Sequence, residues 1–392
     1  MRRFVRDHKV VAALLVAAAL LLPGAQARSI ELATSCPPSF ELTDTNQCKL
    51  VNLYMQYTSM EHKGVGGTQT ELPPARDGFS PQQIDLGRFL FFDPLLSGNH
   101  QQACASCHQP AKGFTDGKAV STGATGKLGT RSAPSLWNVG FLQKLFWDAR
   151  SPSLEQQALG PLFADNEMAN TPQQLLDDLN NTGEYPRLFQ QAFGKTPIDL
   201  PQVATALAAF QSSLISLNSR YDHYAHGFHQ ALTEDEIKGM NVFRSFVARC
   251  AECHTPPLFT NQQIAVIGTP EPDGKPLDPG AGAEPGKEKL RGGFKVPTLR
   301  NIAKTAPYMH SGKFATLNEA TEFYTLGRGH AVPPGEKLTI HWHIWEPKLS
   351  KEEIAQIGLF LQTLTDESLM PALPSVLPSG LALPADVAAP AQ

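Results

Sequence analysis

Apolar residues recur along much of the chain at intervals of three and four, the spacing that gathers them on one face of a helix. Ser80-Pro81-Gln82-Gln83 opens one such run with an N-capping signal, and Ile84, Leu86, Phe89 and Leu90 form its apolar side. Thr233-Glu234-Asp235-Glu236 opens a matching run with Ile237, Met240, Phe243 and Val247, so the same unit occurs twice. Leu200, Val203, Leu207, Phe210, Leu214 and Leu217 predict an amphipathic helix that packs on the first unit. Ser350-Lys351-Glu352-Glu353 caps a last helix, striped by Ile354, Ile357, Leu361 and Leu364, which closes the second. Strand-like alternation is scarce, and the boundary between the two helical units falls near Asn218–Tyr221.

The remaining segments change that picture at its ends. Arg2, Arg3, Arg6 and Lys9 precede an apolar run from Val10 to Leu22 and the small residues Ala25-Gln26-Ala27, the pattern of a secretory signal peptide cleaved near Ala27. The run is too short to span a bilayer comfortably, and no later stretch reaches roughly 18 apolar residues, so no membrane span is expected. The expected organisation is a signal peptide at 1–27, an N-terminal unit at 28–220, a C-terminal unit at 221–370 and a Pro/Ala-rich disordered tail at 371–392. Gly268–Gly293, dense in Gly and Pro, predicts an exposed loop. The formal charge of −4 becomes more negative once residues 1–27 are removed, which excludes a nucleic-acid partner.

Four of the six cysteines stand in Cys104-Ala105-Ser106-Cys107-His108 and Cys250-Ala251-Glu252-Cys253-His254. Two thiols one helical turn apart reach the two vinyl groups of one haem, and the adjacent imidazole falls beneath the iron. Cys104, Cys107, Cys250 and Cys253 are thus predicted as thioethers and His108 and His254 as proximal ligands of two covalently bound c-type haems. A redox Cys-x-x-Cys or a shared zinc site does not require a His directly after both pairs. The fold class expected is mainly α, two cytochrome-c-like haem domains packed together, in an exported, periplasmic protein. Cys36 and Cys48 remain, and an oxidising compartment favours a disulfide between them over two free thiols.

Several further runs accompany the haem motifs: Leu86-Gly87-Arg88-Phe89-Leu90-Phe91-Phe92-Asp93, Phe146-Trp147-Asp148-Ala149-Arg150, Glu155 to Pro161, and Phe294 to Asn301 continuing to Pro307-Tyr308-Met309-His310. On these, residues 80–364 resemble the bacterial di-haem cytochrome c peroxidases and their MauG-type relatives. The resemblance implies an enzyme acting on hydrogen peroxide at the first haem, with Trp147, Gln157, Pro161 and Glu167 around it. Glu167 carries over as the acid/base, since a carboxyl in an apolar pocket can hold and pass a proton. Gln157 carries over as a group that positions peroxide, where an isolated reading gives an exposed helical amide. Trp147 carries over as the relay between haems, where an isolated Trp reads as a core aromatic. Ala149 stands where the family usually has Gly.

Two departures from the peroxidase pattern stand out. The family often blocks the first iron with a His from the interval after the first motif, yet no His occurs between Gln109 and Arg220. His100 precedes the motif and reads as a surface residue. The second iron's usual Met ligand stands eight residues after the Thr of a Thr-Leu-x-Glu-Ala segment; here the segment is Thr316-Leu317-Asn318-Glu319-Ala320, and the matching position is Tyr324, as in MauG-type proteins. Met309 is the rival ligand. A phenolate favours high-valent iron, whereas a thioether raises the potential.

The resemblance also implies a calcium ion between the domains, held at Thr305, Pro307 and the position of Ser132, where relatives carry Asn. His223, His226 and His229 read as a solvated linker face or, alternatively, a metal cluster. His341, Trp342, His343 and Trp345 read as local packing or a partner-docking patch. The leading function is oxidation of a protein partner, through its Trp or Tyr side chains, by haem iron that peroxide has raised to a high valence. The alternatives are a cytochrome c peroxidase drawing electrons from a small cytochrome or cupredoxin, and a non-catalytic di-haem electron carrier.

Overall fold

In a computed structural model, which describes residues 29–51, 71–327 and 329–388, the first repeated unit is built on a crossing of two helices. α1 (Pro81–Phe92) begins at the expected capping box, where Gln83 N–H donates to Ser80 Oγ and Ser80 N–H to Gln83 Oε1, both at 3.1 Å. α2 (Cys104–Cys107), α3 (Leu154–Phe163), α4 (Pro172–Asn181), α5 (Tyr185–Phe193) and α6 (Leu200–Ser212) follow. α6 lies across α1, and Gly87 permits it: a Cβ there would stand 1.8 Å from the carbonyl oxygen of Ala206. Phe91, Phe92 and Phe210 meet at this crossing with ring centroids 5.0–6.1 Å apart.

The second unit repeats the device with α7 (Arg220–Ala225), α8 (Glu234–Arg244), α9 (Cys250–Cys253), α10 (Leu317–Thr325) and α11 (Lys351–Gln362). Thr233 and Glu236 form the capping box of α8. α8 crosses α11 at Gly239, where a Cβ would stand 1.9 Å from the carbonyl oxygen of Gln356. Met240, Phe243, Phe259, Ile357, Phe360 and Leu361 are its buried core. Beneath it Arg300 grips Asp222 with two hydrogen bonds of 2.5 and 2.7 Å. Two short antiparallel ribbons complete the chain: β1 (Phe40–Leu42) with β2 (Cys48–Leu50), and β3 (Ile264–Val266) with β4 (Gly293–Lys295), in which Ala265 faces Phe294. Cys36 and Cys48 are joined as the expected disulfide.

Several expectations are corrected. α6 stops at Ser212 rather than running to Leu217, because the side chain of Asn138 takes both the N–H of Ser216 and its carbonyl, at 2.9 Å each, and draws the chain off the helix. The Gly/Pro-rich stretch is not simply an exposed loop: Ala281 is buried, and Asp278 binds Arg131 at 2.6 and 2.8 Å. Residues 371–388 are laid down on the first unit instead of trailing free. Leu377 and Val387 are buried, Ser379 Oγ donates to Asp93 at 2.8 Å, and α12 (Ala385–Ala388) rests against α2. Proline and alanine have little helical or sheet pattern to betray such docking. His226 is buried rather than solvated, and His223 and His229 pack edge-on against Phe228 and Tyr224. The expected signal peptide, residues 1–27, lies outside the described residues.

Candidate active site

α2 and α9 each hold two cysteines one turn apart, and all four thiols are free, although the same chain contains a disulfide. Burial pushes Cys104 and Cys250 up to about 12 and Cys107 up to about 11. The following histidine closes each helix, with its N–H donating to Cys104 O at 3.0 Å and to Cys250 O at 2.8 Å. His108 Nδ1 lies 2.9 Å from Phe114 O; His254 Nδ1 lies 3.1 Å from Phe259 O and 3.2 Å from Pro297 O. A carbonyl only accepts, so Nδ1 carries the proton in both rings and Nε2 keeps its lone pair. Burial pushes His254 down to about 4 and lowers His108 as well, which keeps both imidazoles neutral. Paired free thiols beside an imidazole of fixed tautomer are the donor set a c-type haem requires, and both sites fit it.

A cavity of about 220 Å³ opens over α2, with Cys104, Cys107 and His108 in its lining. The same cavity is lined by Trp147, Gln157, Pro161 and Glu167, so the residues singled out in the sequence converge on one space. α3 contributes Gln157 and Pro161, one turn apart and therefore on one face. Glu167 sits in the turn that ends α3, its N–H bound to Ala164 O at 3.0 Å. Burial raises the Glu167 carboxyl above the ordinary carboxylate range, and Arg150 opposes the shift without cancelling it. Among the described lining residues His108 is the only histidine. His100 lies outside that lining, 2.8 Å from Asp178.

Trp147 is fixed at both ends: its indole N–H donates to Ser132 O at 2.8 Å, and its own carbonyl accepts from Lys295 N–H at 2.7 Å. Lys295 ends β4, and the carbonyl of Pro297 just beyond it accepts from His254. A short stretch of main chain therefore runs from the wall of the first cavity to His254 of the second site.

Tyr324 lies half-buried in the last turn of α10. Burial, and then the nearby sulfurs of Cys250 and Cys253, raise it well above the ordinary phenol value, which places it at the second site. Met309 sits instead in a turn packed on the first unit: Ser132 N–H donates to His310 O at 2.7 Å, and a Cβ on Gly312 would come within 2.4 Å of Ala119 Cα.

The 321 aligned residues shared with cytochrome c551 peroxidase of Nitrosomonas europaea are 33% identical and cover 81% of this chain and 90% of that protein. The chain belongs to the di-haem cytochrome c peroxidase family. The model of that family, described as di-haem cytochrome c peroxidase, matches residues 81–230. Methylamine utilization protein MauG of Methylorubrum extorquens is 32% identical over 77% of this chain and 84% of its own length. A crystal structure of a MauG-like protein associated with microbial copper homeostasis superposes with a TM-score of 0.70 at 34% identity, covering 77% of this chain and 95% of that one. Two c-type haems are accordingly the cofactors of this di-haem peroxidase-type oxidoreductase. Identity alone does not choose between the peroxidase and MauG branches, so the choice rests on residues.

Sequence reasoning assigned no role to Lys295 or Arg150, which also line the cavity of this di-haem peroxidase. Both stand inside quoted motifs, but only the fold turns them inward. Ser132 and Thr305, carried over for calcium, are engaged in hydrogen bonds within the chain. Ser132 is bound to His310 and Trp147, while Thr305 Oγ1 donates to Ile302 O at 3.1 Å and its methyl abuts Gly113. No helix among the described residues is long and apolar enough to cross a membrane.

Proposed function

We propose that this enzyme uses hydrogen peroxide to oxidise a protein partner, in the manner of the MauG branch, in two haem domains at 28–220 and 221–370. The observation that carries the reading is Tyr324 beside the cysteines of the second site. When bound, the haems supply iron that takes up the oxidising equivalents of peroxide and draws electrons from the partner.

The chain's own groups do the rest. His108 and His254 would hold the irons through Nε2, and Tyr324 would hold the second through its hydroxyl. Glu167, raised by burial, would hold and pass the proton that cleavage of the peroxide O–O bond requires. Gln157, on the same cavity wall, offers its amide to orient the peroxide. Trp147 lies between the cavity and the strand that leads to His254 and passes electrons from the second site to the first. Apart from His108, no described histidine lines the cavity to compete with peroxide, so the oxidised enzyme is ready without a reductive activation step.

The test is to mix the fully ferric protein with hydrogen peroxide, with no reductant present, and record visible, near-infrared and iron spectra. Prompt reaction affecting both haems supports the proposal. A ferric protein inert until half reduced identifies it as a cytochrome c peroxidase fed by a small electron-transfer protein; inertness in every redox state leaves only an electron carrier.

A further inference from the structure

β4 carries a lysine into a place where an ammonium group is costly. Side chains alternate along a strand, and Phe294 uses one face to stack on His310 with centroids 3.8 Å apart. The next residue, Lys295, points the other way, into the cavity above α2, and is only 9% exposed. The cavity's other long cations are satisfied: Arg131 binds Asp148 at 2.6 Å and Asp278 at 2.6 and 2.8 Å, and Arg150 binds Asp148 at 2.8 Å. Among the described residues, the Lys295 ammonium has neither an ion pair nor a hydrogen bond. Burial alone, with no neighbouring charge, pushes it down to about 8. An unpaired buried cation costs several kcal/mol in practice, so the site is complete only when something anionic enters the cavity.

We propose that the Lys295 ammonium is the counter-charge of a propionate of the first haem. The inference rests on the reading of Cys104, Cys107 and His108 as that haem's attachment site. Thioether bonds to Cys104 and Cys107 hold the vinyl edge of the porphyrin at α2, so the carboxylate edge is the one left to meet the rest of the lining. A propionate is the anion such a cofactor brings with it, and an ammonium on a rigid strand meets it as a charge-assisted hydrogen bond. The main-chain N–H of the same lysine binds Trp147. One residue thereby seats the first porphyrin and anchors the tryptophan between the sites, which makes Lys295 a positioning residue.

The experiment compares the mature wild-type protein with Lys295→Met, which keeps the length and loses the charge, and Lys295→Gln, which keeps a donor. Mass spectrometry of the denatured chains first counts the haems. Resonance Raman then reads the propionate bending band of each haem, and a redox titration reads each midpoint potential. With both haems attached, the first haem's propionate band should shift most in Lys295→Met and less in Lys295→Gln. Its potential should fall in the same order, because a lost positive charge favours ferric iron. An unchanged band, with or without a change in potential, overturns the contact, as does a shift confined to the second haem. A wild-type protein carrying no haem at Cys104 and Cys107 would overturn the attachment reading itself, and this inference with it.

Discussion

Trp147 and Lys295 are joined through their main chains, the N–H of the lysine donating to the carbonyl of the tryptophan at 2.7 Å. Pro297 O, slightly further along, is 3.2 Å from His254 Nδ1. The wall of one cavity and His254 of the other site thus belong to one hydrogen-bonded run, and a change at either end should register at the other.

Trp147→Phe keeps the ring in place but removes the indole donor, leaving Ser132 O without it at a cost of about 1–3 kcal/mol. Both haems should remain attached by mass. In the wild type, peroxide should perturb the spectra of both haems; in the variant it should perturb the first alone. An unaltered response at the second haem removes Trp147 from the electron path.

Tyr324→Met should raise the reduction potential of the second haem, because a thioether stabilises ferrous iron where a phenolate stabilises ferric. A redox titration resolved by haem measures this. An unchanged potential and ligand spectrum would remove Tyr324 from the iron and point to Met309.

Glu167 should impose a pH dependence on the reaction with peroxide. Its carboxyl titrates above the ordinary carboxylate range, and the base form is the active one, so the rate should climb as pH rises through that elevated value. Glu167→Gln should flatten the profile and slow the reaction by about a hundredfold or more. Stability carries the opposite sign. A carboxyl with a raised folded pKa contributes stability at low pH that is lost as pH rises through the folded value. The Gln variant should therefore melt no lower than wild type at neutral pH, and a large fall in Tm would give Glu167 a structural role instead.

Gly87→Ala drives a methyl group into the Ala206 carbonyl, where the gap would be 1.8 Å and the obstacle is backbone. Thermal melts of the haem-loaded protein should show a loss of about 3 kcal/mol or more. Gly126→Ala, which meets nothing within 4 Å but has φ +80°, should cost only the strain of a left-handed residue.

Arg300→Met should be among the most damaging single changes in the second unit. It leaves Asp222, whose side chain is 4% exposed, as an uncompensated buried charge, with an expected cost of about 3–5 kcal/mol in denaturant titrations. Loss of less than about 1 kcal/mol would mean that Asp222 finds another donor or takes up a proton.

Much of this architecture was legible because it is written in local rules. The capping boxes at Ser80 and Thr233 fix where α1 and α8 begin, and Cys-x-x-Cys-His needs only one helical turn to do its work. The crossings at Gly87 and Gly239 were not legible, since a glycine in a helix carries no sign of which carbonyl it will meet. Lys295 was hidden for the same reason: its role depends on where β4 lies relative to α2, a relation set by residues far apart in sequence. The end of α6 was misjudged because the apolar period continues through Leu214 and Leu217, while Asn138, more than 70 residues earlier, captures the backbone between them. Tyr324 was reached by counting from the Thr316 segment and Glu167 only through the resemblance to the family; in the fold Glu167 lines the cavity above α2.

The docking of the last residues has a consequence in time. A chain synthesised from its N-terminus presents α1 and α2 long before residues 377–387 exist, yet those late residues cover Asp93 and lie against α2, with Asp386 close enough to help raise Cys107. Residues 377–387 thus tie α2 and Asp93 to a part of the chain far away in sequence.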